Sequence, residues 1–377
     1  MPKKETRDGC TAAEIRARCP GLALVRSKCS NLPIMSTVKV SFERVLKTSS
    51  LSIAFASLLL LLGCPSTSNK PTETNSSATA PMPAKSNFDG ERAFDHVRKQ
   101  VEFGPRPPGS PELEKARAYI IDQLRSYGLK ITTDEFQTTT PIGATKMINL
   151  TAELPGESSD VVILSSHYDA KYVKEFKFVG ANDPGSSIGE VLELARVLAA
   201  KKEKPKLTYW FVFFDGEEAI CFDWDQCHNP NPADPSKPLP DNLYGSRRFV
   251  SQLVANNQVK RVRAMILFDL MGYKDLKLGR DDLSTTWLQD IVWQAAKQIG
   301  YGSQFVNDRE GVGDDDHAPF LHANIDALDI IQLSSYPYWH TKDDTLDKVS
   351  AKSLKIVGDT ILASLPKIEE RIQSRPR

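Results

Sequence analysis

The stretch Leu207–Glu218, LTYWFVFFDGEE, decides the fold. Its first part is aromatic, β-branched and uncharged, the composition of a strand buried on both faces. It then breaks into Asp215, Gly216, Glu217 and Glu218, three carboxylates within four residues. Carboxyl groups this close repel and raise each other's pKa. Something must offset that charge, and a cation is the obvious candidate.

Working outward, DVVILSSHYD (160–169), VKRVRAMILFDLMG (259–272) and DALDIIQL (326–333) read as further buried strands. Between them lie helical patterns: SSIGEVLELARVLAAKK (186–202), expected to be amphipathic, LSTTWLQDIVWQAAKQIG (283–300), and the closing SAKSLKIVGDTILASLPKIEERI (350–372). An earlier helix is punctuated at both ends: Ser110 as cap, Pro111 at the first position and Gly128 at the stop, with Ala118, Ile121, Leu124 and Arg125 at helical spacing. Strands alternating with helices imply a single α/β domain, its central sheet mostly parallel (mixed) and flanked by helices on both faces.

Acidic and imidazole side chains gather where these strands end. His167 and Asp169 close one, Asp215 to Glu218 the next, Asp269 a third, and SSYPYWH after the last leads to His340. Open α/β sheets place their ligand sites at the carboxyl ends of strands. One histidine with two carboxylates from separate loops suits a zinc ion with an open fourth position. Asp183, Glu218 and His340 are the candidate ligands, with His167 and Asp269 as further options.

The rest of the chain frames this domain. Formal net charge is zero across 377 residues, which gives no electrostatic footprint for nucleic acid. Residues 1–34 are an extension ahead of a good start at Met35. Residues 35–64 read as an export signal: Lys39, Arg44 and Lys47, then LSIAFASLLLLLG, then Cys64 in a lipobox-like setting. Lipidation at Cys64 would tether an exported, periplasmic or cell-surface protein to a membrane. Residues 65–87 have the composition of a flexible tether, leaving 88–377 as the catalytic domain. Cys221 and Cys227 lie inside it, either as a disulfide or as part of a metal site with His228.

The segments GPRPPGSPELEKARAYI (104–120), SSHYDAKY (165–172), FVGANDPGSS (178–187), FFDGEEA (213–219), NLYGSRRF (242–249), LFDLMG (267–272), DDHAPFL (315–321) and YWHTKDDT (338–345) together resemble the zinc-dependent glutaminyl cyclases, within the peptidase M28 clan. The resemblance spans most of residues 88–377 in the right order. It implies one zinc per domain and conversion of the N-terminal Gln of peptides or proteins to pyroglutamate, with loss of ammonia. It implies Asp183, Glu218 and His340 as ligands, Glu217 as general acid/base, Asp269 and Asp315 as an acidic network beside it, and Trp224 and Trp339 as walls of the substrate pocket. It also implies a cis peptide at Asp183, here followed by Pro184, where the cis form costs only about 0.5–1 kcal/mol. Two departures stand out. Asp329 occupies a position where animal cyclases carry His, and the loop from Glu218 to Tyr244 is long. A two-zinc aminopeptidase of the same clan would use His167, Asp183, Glu218, Asp269 and His340, all of them here. A binding module that has lost its metal is the reading from a different class, and the intact Asp183, Glu217, Glu218 and His340 argue against it.

Overall fold

The computed structural model describes residues 86–223, 226–231 and 233–375. The expected signal, Cys64, nearly all of the tether and Trp224 lie outside the described residues.

In chain order the domain runs α1 (Gly90–Phe103), α2 (Pro111–Ser126), β1 (Lys130–Thr140), β2 (Gly143–Leu154), β3 (Ser158–His167), α3 (Gly185–Ala199) and β4 (Leu207–Phe214). A two-residue ribbon, β5 (His228–Asn229) and β6 (Leu239–Pro240), is followed by α4 (Tyr244–Ala255), β7 (Val262–Phe268), β8 (Leu278–Asp281) and α5 (Thr286–Gln298). The chain ends with β9 (Phe305–Glu310), α6 (Ala318–His322), β10 (Ala327–Ile330) and α7 (Ala351–Ser374).

The main sheet has the order β1-β2-β4-β3-β7-β10. β4, β3, β7 and β10 are parallel, and the β1–β2 hairpin adds to β4 antiparallel. The expected mixed, mostly parallel centre is therefore present, and all eight residues of β4 are buried. Alternation of side chains divides each strand between two cores. Val162, Leu164, Phe211, Phe213, Ala264 and Ile266 pack with α1, α2, α3, α5 and α7 on one face. Val161, Ile163, Trp210, Val212, Phe214 and Met265 pack with α4 and α6 on the other.

Two readings of helix faces need correction. In α2 the cap is as expected, Ser110 Oγ accepting from the Leu113 amide at 3.1 Å. The buried stripe, however, is Leu113, Ala116, Ile120 and Leu124, so Ala118 points to solvent. The i, i+3, i+4 stripe runs from Leu113, because the helix lies against β1 and α3 on that side. α3 is not amphipathic: nearly every residue is buried, Glu190 and Glu193 included, because α1 and α7 cover the side turned away from the sheet. Glu193 is tolerated there because Arg196 pairs with it and the Asp89 amide donates to it at 2.9 Å.

Candidate active site

The loops that follow β3 and β4 hold each other. Asp169 is fully buried, and its Oδ1 accepts from the amides of Gly216 (2.9 Å) and Glu217 (3.1 Å) while Oδ2 accepts from that of Glu218 (3.3 Å). Three successive amides can converge on one carboxylate because Gly216 turns the chain at φ +74°, a conformation that side chains with a Cβ adopt at a cost. Asp215 turns back into the hairpin instead, its Oδ2 accepting from the Ile148 amide and the Tyr168 hydroxyl. The three carboxylates of the DGEE turn thus leave it in different directions.

Glu218 meets His340 and Asp183. His340 Nε2 lies 3.0 Å from Glu218 Oε1 and 3.4 Å from Asp183 Oδ2. The backbone of His340 is left-handed, at φ +51°, which places its ring inward at the end of the turn over 337–340. Asp183 precedes a cis peptide to Pro184, as expected. Its amide donates to Asp344 Oδ2 at 3.1 Å, and the Asn182 amide donates to Asp344 Oδ1 at 2.9 Å. Arg106, itself buried, holds the same loop by donating to the carbonyls of Val179 and Gly180.

One atom each from Asp183, Glu218 and His340 lies within 4.8 Å of the others. Two carboxylates and an imidazole converging on one point are a donor set that suits zinc, and three protein ligands leave a fourth position for substrate. The electrostatics of the group agree with that reading. Burial alone would raise Asp183, but hydrogen bonds from His167 and His340 hold it well below the usual carboxylate range. Burial works against a charge on His340, yet Glu218 and Asp183 push it up to about 9. The group attracts positive charge.

A second trio shares Asp183. His167 Nε2 lies 3.4 Å from both Asp183 Oδ1 and Asp269 Oδ1, and these three residues also offer atoms within 4.8 Å of one another. Glu217 stands next to this group, with Oε2 3.8 Å from His167 Nδ1. Burial raises the Glu217 carboxyl well above its usual range, the neighbouring His167 opposes the rise, and Glu218 and Asp315 add to it. Asp269 is pushed up to about 7, chiefly by burial, and Asp315 is raised for the same reason.

Asp183, Glu217, Glu218, Asp269, Asp315 and His340 all line one cavity of about 380 Å³. Leu270, Val312, Ile331, Leu333 and Trp339 give it an apolar side. Trp339 stacks on His340 with ring centroids 4.2 Å apart and remains 42% exposed, so it forms part of the rim. The expected site residues are thereby brought together, apart from Trp224. Asp329 is buried behind them, near Asp315 and His317, where burial and the Asp315 charge raise its carboxyl well above the ordinary range.

Cys221 and Cys227 form a disulfide. That answers the alternative of a metal site with His228, whose side chain is exposed on the β5–β6 ribbon. Sequence reasoning placed Asp169 only among the strand-end acids and missed the other residues that position the site. Asp169, Lys171, Asp344 and Arg106 touch the functional loops from behind, each at most 1% exposed. The only signal they offer is a charge inside an otherwise buried strand end or turn, as in HYDAK and KDD.

Comparison with known proteins agrees with this geometry. Residues 149–365 match peptidase family M28. The glutaminyl-peptide cyclotransferase of Drosophila melanogaster is 28% identical over 290 residues, covering 70% of this chain and 78% of that protein. The crystal structure of an Acidobacteriales bacterium glutaminyl cyclase superposes with a TM-score of 0.69 at 35% identity, covering 78% of this chain and 99% of that one. A leucine aminopeptidase precursor from Bacteroides thetaiotaomicron gives a TM-score of 0.66 at 27% identity, covering 75% of this chain and 98% of that one. The family match takes in more than half of the chain, and the chain belongs to peptidase family M28, with the glutaminyl cyclases.

Proposed function

We propose that the protein is a glutaminyl-peptide cyclotransferase that converts the N-terminal Gln of peptides to pyroglutamate and releases ammonia. One observation carries the reading: Glu217 and Glu218, adjacent in sequence, occupy one cavity in different states. Glu218 belongs to the Asp183–His340 donor group, and Glu217 stands free of it with a raised pKa. A general acid/base works best when its pKa is near the operating pH.

Asp183, Glu218 and His340 would hold one zinc ion, which when bound supplies Lewis-acid polarisation of the substrate's γ-carboxamide. Glu217 takes a proton from the attacking α-amino nitrogen as the new N–C bond forms. It returns that proton to the departing amide nitrogen as the old C–N bond breaks, so ammonia leaves and the carboxylate is restored. Asp269 and Asp315 hold protons beside it, since close buried carboxyls do not all ionise. The cavity's apolar side and Trp339 shield the ring-closing substrate from water.

The rival is a two-zinc aminopeptidase, favoured by the second trio at His167, Asp183 and Asp269. Purified protein given Gln-initiated and Leu-initiated peptides decides between them. We expect ammonia and a pyroglutamyl product from the first and no release of Leu from the second. Efficient Leu release without cyclisation would establish the aminopeptidase.

We also propose that the domain is exported and anchored through a lipidated Cys64, on the strength of the Leu-rich run, Gly63 and the polar tether. Cys64→Ser should shift the protein from the membrane fraction to the soluble one. Unchanged retention with an uncleaved N-terminus would refute lipidation.

A further inference from the structure

Glu218 has two oxygens, and each faces a different basic group. Oε1 lies 3.0 Å from His340 Nε2, inside the donor group. Oε2 is buried, accepts no hydrogen bond, and faces the Lys171 ammonium 3.7 Å away. Lys171 is 1% exposed, a position lysine rarely occupies without a partner. Its Nζ is anchored by donating to the Ala219 carbonyl at 2.8 Å, the residue next to the ligand itself. It belongs to the same loop as Asp169, which grips the Glu218 amide. Backbone and side chain of Glu218 are therefore both oriented by the loop after β3.

We infer that Lys171 is a positioning residue that keeps Glu218 a one-oxygen ligand, and so keeps the fourth coordination position open for the substrate amide. The inference rests on reading the pocket as a zinc site. A carboxylate can bind a metal through one oxygen or both. With three protein ligands, the second oxygen of Glu218 would be the nearest competitor for the position substrate needs. The ammonium at 3.7 Å holds that oxygen away from the metal by charge, and the Ala219 carbonyl keeps the ammonium in place. Partners behind a ligand set its orientation in this way in other metal sites.

Co²⁺ alone, added to metal-stripped full-length protein, tests this through its visible absorption, which is intense for four-coordinate cobalt and weaker for five-coordinate cobalt. Wild type should bind with the intense spectrum. Lys171→Met should lose intensity as Oε2 turns inward, and Lys171→Arg should restore the wild-type spectrum. Lys171→Gln keeps a donor for the Ala219 carbonyl without the charge, and should behave like Lys171→Met. It carries the test if the methionine variant fails to fold by circular dichroism. KM for a Gln-initiated peptide should rise more than kcat falls in both uncharged variants. Folded uncharged variants with the wild-type cobalt spectrum would overturn the role of Lys171 and leave the zinc site standing. Wild type that binds no cobalt would overturn the zinc reading and this inference together.

Discussion

Two groups of buried carboxylates meet at the cavity, and they are balanced in different ways. Asp183 and Glu218 face imidazole nitrogens, and Asp183 is held well below its usual range, so this group is anionic and attracts a cation. Asp269, Asp315 and Asp329 are raised, each by burial first, so this group stores protons. The residue types are alike. What differs is the balance of bases and acids: Asp183 has two histidines, His167 and His340, against its charge, whereas Asp269 shares only His167 and has the Asp183 and Asp315 carboxyls beside it. A buried acid opposite a base is stabilised as an anion, and one opposite an acid is stabilised by a proton. Glu217 sits at the junction, raised like the second group yet adjacent in sequence to the first, and that is where a proton must move.

The boundary between the groups falls between neighbouring residues, which makes it easy to break. Glu217→Gln should lower kcat by roughly 10²–10⁴-fold, the usual contribution of a general acid/base. Zinc content by elemental analysis should stay at the wild-type value. Glu218→Gln should reduce both turnover and bound zinc. If Glu217→Gln retained near-normal turnover, the proton carrier would have to lie elsewhere in the acidic group.

This division was only partly legible in the sequence. The strands were, because β3, β4 and β7 each hold an uncharged apolar run (161–164, 207–214 and 264–268) that leads to an acid, and burial on both faces demands that composition. The β1–β2 hairpin was not. Its strand KITTDEFQTTT is polar and mostly solvent-facing, so it has no apolar run to find. The ligands and Glu217 were legible because each lies beside a strand end or in a distinctive turn. The positioning roles of Asp169, Asp344 and Lys171 were not, because these residues receive or give hydrogen bonds across loops far apart in sequence, and Asp344 lies 161 residues from the Asp183 amide it holds. Such pairings have no periodicity to read.

Asp329 lies on the proton-storing side of that boundary. If it belongs to the proton-storing group, an amide should replace its protonated carboxyl with little loss. Asp329→Asn should cost less than about tenfold in kcat, which is less than about 1.4 kcal/mol of barrier, and zinc content should be unchanged. A loss as large as that of Glu217→Gln would mean that Asp329 changes its protonation state during turnover. Burial and the neighbouring Asp315 and Asp281 charges would then be tuning a reacting group.

The smallest effect belongs to Asp215, the third carboxylate of the DGEE turn, which joins neither group. It is buried, and burial together with the Asp169 charge pushes it up to about 7. An unfolded aspartate titrates near 3.9. Between about pH 4 and 7 the folded protein therefore retains a proton that the unfolded chain has released, and stability falls as pH rises through that window. The contribution is complete below the unfolded value and lost once pH passes the folded one. A tenfold difference in proton affinity between the two states is worth about 1.4 kcal/mol. Asp215→Asn keeps an acceptor for the Ile148 amide and the Tyr168 hydroxyl, both of which donate to Oδ2, and puts its NH₂ group where Oδ1 accepts no hydrogen bond. Zinc content should not change, and turnover should stay within a few-fold. What should change is denaturant-measured stability, whose fall between pH 4 and 7 should flatten by about 1 kcal/mol for each step of one in pH. An unaltered slope would mean that Arg117, with Nη1 3.9 Å from Asp215 Oδ2, keeps this carboxylate ionised throughout.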